Sequence, residues 1–145
     1  MHPIIVLDVD GTITTAECSV RKELRDYASE HGVPMYINTA RASSWCAHPD
    51  EDMTSMVPDR TKHHCMVGTH PVASKVHNMN LIAPTPTRCA VLVDDRPENV
   101  AGVEAAGYRG ILVDAAHGIT QTTLRQIREV VEECQSPPIP AACTP

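Results

Sequence analysis

The chain has 145 residues, the usual size of one globular domain, and its 42% hydrophobic and 21% charged residues exclude a disordered or membrane-embedded polymer. A formal charge of -6 and only 3% aromatic residues, with no Phe and one Trp, argue against a general polyanion binder or a surface of stacking rings.

Four short, continuously apolar runs alternate with helical patterns. The first run, Pro3 to Leu7, ends at carboxylates. After Ser19, a good N-cap, Val20 to His31 places Val20, Leu24, Tyr27 and Ala28 on one helical face and stops at Gly32. A second run covers Met35 to Asn38. From Ala42 to Pro71 the pattern is irregular, with room for one helix and a strand near His64 to Val67. The third run, Ala90 to Val93, is followed by a helix opened by Pro97 and running to Ala106, and then by a fourth run from Arg109 to Val113. A last helix over Gln121 to Cys134 aligns Leu124, Ile127, Val131 and Cys134. Continuous rather than alternating apolar runs are typical of strands buried on both faces of a parallel sheet. The expected fold is therefore a doubly wound α/β domain over residues 1–135, with a Pro-rich flexible tail over 136–145.

No run reaches the ~20 apolar residues of a membrane span, and the opening MHPIIVLDVDG lacks the basic start of a secretory signal. A cytoplasmic location follows as an expectation, and with it six free thiols, because Cys18, Cys46, Cys65, Cys89, Cys134 and Cys143 form no CxxC pair. Cys46, His48, His63, His64, Cys65 and His70 match no standard zinc spacing and read as a polar loop with buried thiols.

In open parallel sheets, ligands bind beyond the carboxyl ends of the strands. The residues there are polar: Asp8, Asp10, Gly11 and Thr12 after the first run, Thr39 and Arg41 after the second, Asp94, Asp95 and Arg96 after the third. Taken singly, several have ordinary readings: Asp-Gly is a turn signal, Thr39 is a fair helix cap, and Arg41 and Arg96 fit solvated surface cations.

Taken together they carry a family resemblance. Asp8-Val9-Asp10-Gly11-Thr12 resembles the DxDGT motif of the haloacid dehalogenase (HAD) superfamily. Thr39 in INTAR is similar to its second motif, Lys75 in VASK to its third, and Asp94-Asp95 in VLVDDRPEN to its fourth. The resemblance implies a Rossmann-like sheet with strand order 3-2-1-4-5 and a phosphatase mechanism. Asp8 would be the nucleophile that forms a phospho-aspartate, and Asp10 the general acid and base. Thr39 and Lys75 would bind the transferring phosphoryl group, with Lys62 as the competitor for the lysine. Thr12, Arg41 and Arg96 stand as substrate contacts. Dehalogenating members lack the second Asp, so its presence favours phosphoryl chemistry.

The resemblance also implies Mg²⁺, held by Asp8, the Asp10 carbonyl and Asp94, with Asp95 behind a metal-bound water or orienting Lys75. Charge counting agrees, since four carboxylates and one lysine repel a phosphate dianion unless a hard cation joins them. Only 26 residues (13 through 38) separate Thr12 from Thr39, and 35 (40 through 74) separate Thr39 from Lys75, too few for an inserted cap domain. The expected type is capless, open to macromolecular or bulky phosphates. Nucleic-acid ends, through a local patch of Arg41, Arg60, Lys62 and Arg96, and a homo-oligomer supplying the missing lid are further expectations. A non-catalytic phosphate-binding scaffold and a phosphotransferase are the alternatives.

Overall fold

The computed structural model describes residues 2–135; the expected Pro-rich tail lies outside them. Strands β1 (Ile4–Leu7), β2 (Met35–Asn38), β3 (His63–His64), β4 (Ala90–Asp94) and β5 (Arg109–Leu112) form one all-parallel sheet. Its order is β3-β2-β1-β4-β5, as the motif resemblance implied. Helices α1 (Cys18–Glu30), α2 (Ser43–Ala47), α3 (Glu51–Met56), α4 (Pro71–Ile82), α5 (Pro97–Ala105) and α6 (Gln121–Gln135) complete the domain.

The apolar runs are continuous because both sheet faces are covered. Successive side chains of a strand point to opposite faces. Ile5 and Leu7 of β1, with Val91 and Val93 of β4, join a core that contains Val20 and Leu24 of α1, Met53 of α3 and Leu124 and Ile127 of α6. Val6 and Leu92, one position out of step, join a second core with Met79 of α4 and Val103 of α5.

Three local expectations change. Helix α1 starts at Cys18 with Glu17 at its N-cap position and no side-chain cap bond, so Ser19 lies inside it. The irregular segment holds two short helices and a 3₁₀ turn (Arg60–Lys62) before a two-residue β3, not one helix and a strand reaching Val67. Asp50 and Asp59 punctuate it, accepting hydrogen bonds from the Met53 and Thr61 amides as caps. The cysteines are not all free: Cys46 bonds Cys65 and Cys89 bonds Cys134, leaving Cys18 as the one free thiol among the described residues. Folding brings the paired Cα atoms to 6.0 and 5.8 Å, a proximity that sequence separations of 19 and 45 do not reveal.

Candidate active site

The carboxyl ends of β1, β2 and β4 meet at one edge, and the chemistry-bearing residues meet with them. Asp8 follows β1 and Asp94 ends β4; both are buried. Lys75, on the second turn of α4, is 1% exposed. Its Nζ lies 2.7 Å from Asp8 Oδ1 and 2.9 Å from Asp94 Oδ2, and also donates to the Asn38 carbonyl at the end of β2. A lysine is buried only when paired in this way, and removing it would leave two buried carboxylates uncompensated. Lys62, the alternative, lies over the Tyr36 ring instead.

Each carboxylate has further partners. Asp8 Oδ2 accepts from the buried Thr12 hydroxyl, which thus faces this carboxylate from inside the turn. Asp94 accepts from the Arg96 amide and from Asn99 Nδ2. Asp95 is half-buried beside them, and carboxylate oxygens of Asp8, Asp94 and Asp95 lie within 4.8 Å of one another. Burial is the main force pushing the Asp8 carboxyl up to about 7; Lys75 opposes it, and Asp94 adds to it.

Two glycines let the backbone make this site. Gly11 has φ +77°, and a Cβ there would stand 2.5 Å from Asp95 Oδ2, so the DxDG turn brings its backbone against the fourth motif. Gly118, at φ +60°, leaves room for the Thr12 carbonyl, which accepts the Ile119 amide.

Asp10 and Arg41 form a second, shallower constellation. Arg41 Nε and Nη2 donate to the two Asp10 oxygens at 2.9 and 2.8 Å, while Nη1 donates to Asp50 at 2.7 Å. Its guanidinium lies 4.6 Å over the Trp45 ring. Thr39 is buried; its hydroxyl accepts the Arg41 amide and its own amide donates to the His64 carbonyl, so that amide is committed within the sheet. Arg96 is exposed at the rim, ion-paired with Glu98. Asp8, Asp10, Gly11, Asp94, Asp95, Arg96, Asn99 and Ala115 line an open depression of about 310 Å³.

Neither a protein-family model nor a curated protein matches the chain. Solved structures do. An uncharacterized protein from Corynebacterium glutamicum is similar with a TM-score of 0.64 at 18% identity, over 90% of this chain and 96% of that one. The HAD domain of the effector protein Lem4 from Legionella pneumophila is similar with a TM-score of 0.53 at 13% identity, over 93% of this chain and 98% of that one. The fold is HAD-like.

On this HAD-like frame the structure brings together Asp8, Thr12, Lys75, Asp94 and Asp95, and places Asp10 with Arg41 beside them. It also adds residues the sequence reading passed over. Asn38 accepts Lys75 Nζ through its carbonyl and donates from Nδ2 to the Lys75 carbonyl, and Asn78 donates to Asn38 Oδ1. The signal was an Asn closing an otherwise apolar strand. Asn99 closes the VLVDDRPEN segment but was given no role, and the loop from Asp114 to Ile119, which closes on Thr12, carried no motif. A larger cleft, about 490 Å³, lies between α1 and α3 and is lined by Arg21, Arg25 and Asp52 among others. Its charges serve the structure, with Arg21 paired to Asp52 and Arg25 donating to the Ser55 carbonyl.

Proposed function

We propose that the protein is a Mg²⁺-dependent phosphomonoesterase that works through a phospho-aspartate on Asp8. The observation that carries this reading is Lys75 Nζ held between Asp8 and Asp94, with Asp95 adjoining, at the carboxyl edge of the central strands. A buried carboxylate bound to lysine on one oxygen and a threonine hydroxyl on the other is aimed, not mobile, as an in-line nucleophile needs.

An Asp8 oxygen attacks phosphorus, and the bond from phosphorus to the leaving oxygen breaks as that oxygen takes the Asp10 proton. Water then attacks the phosphorus of the acyl phosphate, gives its proton to Asp10, and releases inorganic phosphate with Asp8 regenerated. Lys75 neutralises charge on the transferring group, and the Thr39 hydroxyl supplies a further polar contact at the same edge.

The donor set suits a hard divalent cation. Its members are all oxygens, and three carboxylates whose oxygens lie within 4.8 Å of one another face one lysine. Asp8, the Asp10 carbonyl and the Asp94-Asp95 pair would hold Mg²⁺, which would supply electrophilic activation of the phosphoryl oxygens. The short spacings between Thr12, Thr39 and Lys75, too few residues for an inserted cap, support bulky or macromolecular phosphates as substrates.

The test is phosphate release from a panel of nucleotides, sugar phosphates, phosphopeptides and end-phosphorylated oligonucleotides, with Mg²⁺ and with chelator. Release should require Mg²⁺ and vanish in Asp8→Asn. Activity of that variant close to the parent's would overturn the mechanism. Mg²⁺ binding without turnover would point to a phosphate-binding scaffold, and transfer to an acceptor other than water to a phosphotransferase.

A further inference from the structure

We infer that Arg41 is the positioning residue for Asp10, holding its side chain in place to give a proton to the leaving group and take it back from water; the inference rests on the phosphomonoesterase reading above. Two features of the pair point this way. The first is geometry: Arg41 grips both Asp10 oxygens through Nε and Nη2, a fork-to-fork contact that fixes the plane of the carboxylate as well as its position. The second is asymmetry of support. The Asp10 side chain is 65% exposed, whereas that of Arg41 is 13% exposed.

Arg41 is itself held from several directions: Asp50 binds Nη1, Trp45 lies under the guanidinium, the Thr39 hydroxyl accepts its amide, and its carbonyl accepts the Met66 amide. Asp50 in turn caps α3, accepting from the Met53 amide. The well-anchored partner orients the exposed one. Without Arg41, an exposed Asp side chain samples several rotamers, and few of them place an oxygen at the leaving group. The Asp10 carboxylate is not among the three, of Asp8, Asp94 and Asp95, whose oxygens lie within 4.8 Å of one another and would hold the cation, which leaves it for proton transfer. Arg41 therefore acts through another residue, in place of the substrate contact its position suggested.

The experiment compares Arg41→Ala with the parent on two substrates in the presence of Mg²⁺: an alkyl phosphate, whose leaving group needs a proton, and a dinitrophenyl phosphate, whose leaving group does not. The expected result is a loss in kcat/KM at least tenfold greater for the alkyl ester, partly restored in Arg41→Lys. In an Asp10→Asn background, Arg41→Ala should then have little further effect on the alkyl ester. Equal losses on both esters, or additive losses with Asp10→Asn, would mean a merely structural role and overturn the inference. Faster turnover would mean that the pair holds Asp10 out of the reaction, and would overturn it too. If Arg41→Ala does not fold, Asp50→Asn, which removes one anchor of Arg41, should show the same selectivity with smaller losses, and equal losses there count equally against it. A parent that turns over neither ester defeats the phosphomonoesterase reading itself, and this inference with it.

Discussion

Asp8 is a residue whose chemistry costs the fold stability. Its carboxyl is pushed to about 7, chiefly by burial, from an ordinary value of 3.8. The folded state therefore binds that proton more tightly than the unfolded chain does. The stability this gives is complete below about pH 4 and is lost as pH rises through 7. His64, held below its usual range by burial, contributes with the opposite sign near neutrality, so the Asp8 part must be isolated by comparison. For metal-free protein followed by urea unfolding between pH 4 and 8, Asp8→Asn should remove a downward slope present in the parent and leave the variant more stable at pH 8. Added Mg²⁺ should stabilise the parent at pH 8 and not the variant. Asp8, Lys75 and Asp94 were legible in the sequence because motif order and strand ends place them. The Arg41 to Asp10 pair was not, because it depends on which way two side chains beyond the strand ends turn, and spacing carries no information on that.

Whole elements were readable where burial is two-sided. β1 is apolar throughout and β4 up to Asp94 because helices cover both faces, and α6 shows a clean stripe because one face alone is buried. The segment between β2 and α4 was not readable. Its helices have five and six residues, too short for periodicity, and they are held by contacts distant in sequence, such as Arg21 with Asp52 and Cys46 with Cys65. The second disulfide ties the segment just before β4 to the end of α6, at the opposite end of the strand from Asp94. Replacing Cys89 and Cys134 by Ser should lower stability by ~2–4 kcal/mol in urea unfolding while leaving kcat/KM for phosphate release within about twofold of the parent. A larger fall in activity would show that α6 is coupled to the carboxyl edge of the sheet.

At the scale of the molecule, the two cores share their strands. Ile5 and Leu7 face one core and Val6 the other, all from the same four-residue β1, so neither core survives loss of the other's half of the sheet. Unfolding should be a single cooperative transition, with far-UV circular dichroism and amide exchange in β1 and β4 reporting the same free energy. A stepwise transition would mean that the layers fold independently. The shared sheet also explains why the architecture was legible as a whole while the cysteine pairing was not: strand order follows from strand character and the motifs, whereas pairing depends on where helices come to rest. The chain contains a single tryptophan, Trp45, and it is the ring beneath the Arg41 guanidinium. The protein thus carries one indole fluorophore, placed against the residue that grips Asp10, so its emission in Arg41→Ala should differ from the parent's without any label.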